Sequence, residues 1–149
     1  MNIYTLNRLQ AGQLLPHYNA IFISITCPGD EAQLVDGWKA VLRLKIDDVS
    51  DDHGRQYALF NEDHARQIIE FVFGHLPDTL FINCDAGLSR SAGVAVALTE
   101  IIQSRYIGKE HRYVLYNKHV AKVIRNYWYM IHPSNRKWML DKLEARHGS

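Results

Sequence analysis

Apolar positions along the chain fall into two alternating patterns. Short β-branched and aliphatic runs of five to eight residues alternate with longer stretches whose apolar residues recur at three- and four-residue spacing. Asn2–Leu6 predicts a first short strand. Asn19–Thr26 predicts a second, closed by Cys27-Pro28-Gly29-Asp30. Ala40–Ile46 predicts a third. Its Leu42, Leu44 and Ile46 share one face and Arg43 and Lys45 the other, as in a half-covered strand near a sheet edge. The polar, acidic stretch from Asp47 to Tyr57 predicts a loop.

Asn61 is placed to cap a helix, with Glu62 and Asp63 where negative charge suits the dipole. Ala65, Ile68, Ile69 and Val72 form its apolar stripe, and Gly74 is expected to stop it. Thr79–Asn83 predicts a short buried strand. Arg90–Gln103 predicts a helix that is apolar on most sides and therefore central. Tyr116–Ile131 predicts another, its stripe made of Val120, Val123, Ile124, Tyr127, Trp128 and Ile131. His132-Pro133 breaks it, and Asn135–Arg146 predicts a last helix. Strands alternating with helices predict an α/β fold: one domain over residues 1–149, with a mainly parallel central sheet of four to five strands flanked by helices.

Composition narrows the functional classes. Hydrophobic residues make up 47% and charged residues 22% of the 149 positions, the balance of an ordinary globular domain. A formal net charge of +1 gives no basic footprint for a nucleic acid duplex, so nucleic acid is expected only as a substrate. No apolar stretch approaches the roughly 20 residues of a membrane helix, and the first residues lack a secretory pattern. Two cysteines, Cys27 and Cys84, make no disulfide framework and suggest free thiols in a reducing, cytoplasmic setting. The eight histidines are scattered without metal-ligand spacing, so neither metal nor cofactor is expected.

The chemistry concentrates in Cys84-Asp85-Ala86-Gly87-Leu88-Ser89-Arg90-Ser91. A lone cysteine after a buried strand is ordinarily an inert core thiol. Here the thiol stands where a strand ends and a helix begins. Backbone N–H groups of such a loop converge on a hollow, and the helix N-terminus adds positive partial charge. Gly87 allows the loop to curl, and Arg90 at its far end can bind two oxygens of a phosphate. Together these favour the thiolate of Cys84 and an oxyanion above it.

Cys-x5-Arg-Ser after a short apolar strand resembles the signature of the cysteine-dependent protein tyrosine phosphatases, and this form is most similar to small dual-specificity-type enzymes of bacteria and phages. The resemblance implies a dual-specificity-phosphatase-like fold and hydrolysis of phosphomonoesters through a phosphocysteine intermediate. Its substrates would be phosphorylated proteins or peptides, carrying phosphotyrosine and with it phosphoserine and phosphothreonine. It implies Cys84 as nucleophile. The N–H groups of Asp85, Ala86, Gly87, Leu88, Ser89 and Arg90 would hold the phosphate, with the Arg90 guanidinium as clamp. Ser91 would be the donor that helps the sulfur leave. It also implies an upstream aspartate that protonates the leaving group. Asp48 best matches that position, Asp47 is the runner-up, and Asp51 and Asp52 follow. Asn83 departs from the pattern, in which His precedes the cysteine. Asn117 is similar to an asparagine that braces the loop, although a helix cap accounts for it equally well, and Tyr116 stands where Pro is common. Phosphoinositides, RNA 5′-phosphates and a non-catalytic phosphate reader remain compatible with the same motif. Cys27 ends a strand at the same sheet edge as Cys84; a disulfide between them under oxidation is one reading, and an isolated small residue the favoured one.

Overall fold

The structure, a computed structural model, describes residues 1–49, 57–102, 104–107 and 115–147. Five strands form one sheet in the order β3-β2-β4-β1-β5, and all four pairings are parallel. They are β1 (Asn2–Leu6), β2 (Ala20–Thr26), β3 (Ala40–Lys45), β4 (Thr79–Asn83) and β5 (Arg105–Ile107). The helices are α1 (Arg8–Gln13), α2 (Glu62–His75), α3 (Arg90–Ile102), α4 (Lys118–Met130) and α5 (Pro133–His147). The expected α/β class with a parallel sheet is therefore what the chain adopts. β2 is buried at every position and lies inside the sheet, whereas the alternating β3 is an edge strand as its pattern predicted. Among the described residues no helix is long and apolar enough to cross a membrane.

The sheet is covered unequally. On one face Ile3, Ile23, Ile25, Leu80 and Ile82 pack with Ile68, Ile69 and Val72 of α2, Val94 and Leu98 of α3, and Ile124 and Trp128 of α4. Trp128 stacks on Phe73 at 5.6 Å, so its place on the apolar stripe is a core place. The other face carries a small aromatic layer. Phe22 and Phe81 meet Trp38 at 5.1 and 5.4 Å, Tyr4 stacks on Phe81, and Ala11 of α1 closes one side.

Two elements are added to those the sequence marked, and two helix ends are corrected. The segment 8–13 is a helix: the side chain of Asn7 accepts from Gln10 N–H and Gln10 answers with its own side chain, a closed capping box. β5 adds a fifth strand outside β1. Gly74 does not end α2, which runs to His75. Leu76 takes the left-handed cap at φ 46° and gives its N–H to Val72. α4 starts later than its stripe suggested, because Asn117 is its N-cap.

Parallel strands send all their carboxyl ends to one edge. β4 lies between β2 and β1, with Asn83 opposite both Ser24 and Leu6. The chain leaving β4 thus runs between the chains leaving its two neighbours, the place where open α/β sheets collect ligands.

Candidate active site

Residues 84–89 form the loop between β4 and α3. Cys84 is buried, and its Sγ lies 3.1 Å from Ser91 Oγ in the first turn of α3. Gly87 adopts φ +70°, and a Cβ there would stand 2.5 Å from the carbonyl carbon of Leu6 and 2.7 Å from the Asn7 nitrogen. Glycine is needed for its backbone conformation and also because the chain leaving β1 is pressed against it. Arg8 N–H donates to the Asp85 carbonyl at 3.1 Å, fastening α1 to the same loop.

Arg90 is almost completely buried. Its Nη1 donates to the Ile46 carbonyl at 2.8 Å and lies 3.6 Å from Cys27 Sγ; its Nη2 donates to Asp85 Oδ2 at 3.1 Å. Its Nε is buried without a partner among the described residues. Burial opposes the charge, but Cys84, Asp85, Cys27 and Asp48 around it together outweigh burial and hold the guanidinium pKa above its ordinary value. Asn83 is fully buried; its Nδ2 makes one long contact, 3.5 Å, to the Cys84 carbonyl, and its Oδ1 has no partner.

Asp48 reaches the loop from the segment after β3. Its Oδ1 accepts from Ser89 Oγ at 2.7 Å and from Asn117 Nδ2 at 3.0 Å. Asp47 faces elsewhere, pairing with Ala58: its N–H donates to the Ala58 carbonyl, and its Oδ2 accepts from Ala58 N–H at 2.7 Å. Asp51 and Asp52 lie outside the described residues. Asn117 performs both roles weighed for it. Its Oδ1 caps Val120 at 3.1 Å, its Nδ2 holds Asp48, and its backbone N–H donates to the Ser89 carbonyl at 2.9 Å.

The structure thus gathers these residues around one loop in three groups: Cys84 with Ser91, Arg90 with Asp85, and Asp48 with Ser89 and Asn117. Two residues join them that the motif did not supply. Cys27 is not isolated, since its sulfur faces the Arg90 guanidinium while both cysteines are free thiols. Arg8 binds Asp30 through both terminal nitrogens and the Glu31 carbonyl through Nη2, and its Nη1 lies 3.6 Å from Asp85 Oδ1. Hydrogen bonding to Arg8 holds the Asp30 carboxyl down at about 2 against an ordinary 3.8. Arg8 carries no motif of its own; only the Asn7–Gln10 capping pair could have marked its helix. A groove of about 840 Å³ opens beside the loop, lined by Arg8, Leu9, Gln13 and Gln33 and reaching Asp85 and Ala86. Chemically, the set combines a buried thiol, a buried guanidinium with an open donor, and a carboxylate on the loop's rim.

Set against protein-family models, curated proteins and solved structures, the chain gives no match in any of the three comparisons.

Proposed function

We propose that this chain is a metal-independent phosphomonoester hydrolase of the cysteine-dependent protein tyrosine and dual-specificity phosphatase type. Its substrates would be phosphorylated proteins or peptides in a reducing, cytoplasmic setting. The observation that carries the reading is Arg90: a buried guanidinium whose Nε has no partner among the described residues, at the end of the loop that begins with the buried thiol of Cys84. A buried donor left unmade costs about 1–3 kcal/mol, and an oxyanion in the hollow would satisfy it.

The Cys84 thiolate attacks phosphorus, the P–O bond to the leaving group breaks, and Asp48 gives that oxygen its proton. Backbone N–H groups of residues 85–90 and the Arg90 side chain hold the three remaining oxygens through the transition state. In the second step Asp48 takes a proton from water, the hydroxide attacks phosphorus, and the S–P bond breaks as Ser91 donates to the departing sulfur. The 3.1 Å contact between Ser91 and Cys84 supports that role, and the Ser89 and Asn117 contacts to Asp48 support Asp48 over Asp47 as the acid. The neighbouring groove offers room for residues flanking a phosphotyrosine.

The test is hydrolysis of p-nitrophenyl phosphate in the presence of a chelator, beside Cys84→Ser and Asp48→Asn. Turnover that survives chelation and disappears with Cys84→Ser is expected; turnover by Cys84→Ser, or none by the wild type, sinks the proposal. Phosphopeptide, phosphoinositide and RNA 5′-phosphate substrates run in parallel identify the substrate class. A phosphate that binds but is never released from an ester would indicate a non-catalytic reader.

A further inference from the structure

The cradle already holds a carboxylate of its own. A guanidinium presents two parallel N–H bonds to an oxyanion along the edge formed by Nε and Nη2. In Arg90 the opposite nitrogen, Nη1, is tied to the Ile46 carbonyl, so the Nε–Nη2 edge is the one left to receive phosphate. Half of that edge is taken by Asp85 Oδ2, 3.1 Å from Nη2, and the other half, Nε, is unpartnered among the described residues. A phosphate binding bidentately there brings a second anion against the nitrogen that Asp85 holds, and the repulsion between the two favours the departure of Asp85.

Asp85 has somewhere to go. Its side chain is half exposed, and its other oxygen stands 3.6 Å from Arg8 Nη1, too far for a hydrogen bond but within one rotamer adjustment of it. Arg8 is fixed in place to receive it by Asp30, the Glu31 carbonyl and its own backbone bond to Asp85. We propose that Asp85 stands in for the substrate phosphate on Arg90 and is handed to Arg8 when an oxyanion enters. Arg8 is then a positioning residue that sets phosphate affinity without touching phosphate. The inference rests on the cradle binding phosphate, as the proposed function requires. It adds that the first helix, through one ion pair, tunes the loop after the fourth strand.

The experiment is calorimetric titration of inorganic phosphate into the full chain and into Asp85→Asn, Arg8→Gln, Arg8→Lys and the Arg8→Gln/Asp85→Asn double variant, all first checked for cooperative unfolding. Loss of one partly exposed charge pair corresponds to a change of about three- to fivefold in Kd. Asp85→Asn is expected to tighten phosphate by that factor, because the competing charge is gone. Arg8→Gln is expected to weaken it by a similar factor, and Arg8→Lys to restore part of the loss. In the Asp85→Asn background the Arg8→Gln effect disappears, which a merely structural Arg8 would not produce. Unchanged or weaker binding by Asp85→Asn overturns the hand-off, and so does an Arg8→Gln effect of the same size in both backgrounds. If the wild type binds no phosphate, the cradle reading falls with it; if it binds and hydrolyses while the variants fail these patterns, only the hand-off falls.

Discussion

Asn117 does two things with two different atoms, so substitution can separate them. Its Oδ1 caps α4 through Val120 N–H, and its Nδ2 holds Asp48 Oδ1 at 3.0 Å and contacts the Val49 carbonyl at 3.4 Å. Alanine removes both functions. Serine keeps a capping oxygen but loses the reach to Asp48. A cap is worth about 1 kcal/mol. A hydrogen bond to a carboxylate is worth about 1.5–3 kcal/mol, and the low end applies because Asp48 is exposed and water replaces the lost donor. Asn117→Ser is therefore expected to cost about 1.5 kcal/mol and Asn117→Ala about 2.5 kcal/mol, both within what a small domain tolerates. Urea unfolding at neutral pH measures the two. Turnover reads the second function. With Asp48 held only by Ser89, hydrolysis of a poor leaving group such as phenyl phosphate should fall by about tenfold, a part of the 10²–10⁴ that a positioned acid contributes. p-Nitrophenyl phosphate, whose leaving group needs little protonation, should be nearly unaffected. Equal stability of the serine and alanine variants refutes the cap. Wild-type turnover of phenyl phosphate by Asn117→Ser, in a protein where Asp48→Asn abolishes it, refutes the positioning of Asp48.

Gly87→Ala combines a left-handed conformation, costing about 1–2 kcal/mol, with a Cβ driven into the backbone of Leu6 and Asn7. We expect a lower urea midpoint together with loss of phosphate binding, and a variant as stable and as active as wild type would show that the chain leaving β1 does not press on the loop. Ser91→Ala removes the donor beside Cys84 Sγ and should slow the second step more than the first, so rapid mixing with p-nitrophenyl phosphate should give a burst of product; wild-type turnover without a burst counts against Ser91. The Asp30 carboxyl, held at about 2 by Arg8, is expected to stay ionised in NMR titrations well below its ordinary 3.8. Because its folded-state value is depressed, its stabilising effect is complete above 3.8 and fades as pH falls toward about 2. Arg8→Gln should return the midpoint toward the ordinary value, and an unmoved midpoint would separate Asp30 from Arg8.

What the sequence disclosed follows from the range over which each signal acts. β1 and β4 are dense enough in apolar residues to be bounded correctly, and the one-sided pattern of β3 gave its edge position. α1 has six residues, fewer than two turns, so no apolar period could develop. Its marker is the reciprocal cap of Asn7 and Gln10. β5 has three residues and owes its existence to pairing with β1, a contact no local pattern encodes. α2 outran Gly74 because glycine in a helix costs only about 1 kcal/mol and Leu76, packed against the core, can accept the left-handed cap instead. The Cys84–Ser91 loop was legible because all its parts are contiguous. Asp48 was ranked above Asp47 only through the resemblance, since the contacts that tell them apart, Ala58 for Asp47 and Ser89 and Asn117 for Asp48, join distant parts of the chain.

Arg8 was out of reach for the same reason, while Cys27 was placed at this sheet edge without its contact to Arg90, and the strand order behind both bears on how the proposed site attracts an anion. Strand order places the ends of β1 and β2 on either side of β4, so each neighbour delivers a residue to the loop. Among the described residues the charges delivered do not sum to a positive field. Arg8, Lys45 and Arg90 are opposed by Asp30, Glu31, Asp48 and Asp85, linked pairwise through Arg8–Asp30, Lys45–Glu31 and Arg90–Asp85. If the proposed function holds, affinity for phosphate would come from short-range donors, the backbone N–H groups of the loop and the Nε–Nη2 edge of Arg90, rather than from long-range attraction. Short-range donors reward a single phosphoryl group that fits the hollow. The surrounding carboxylates offer nothing to the further phosphates of a polyanion and repel them at close range. On the proposed function, that balance would favour an isolated phosphate on a neutral or basic peptide over a multiply phosphorylated lipid headgroup or a nucleic acid strand, and binding is expected to depend only weakly on salt.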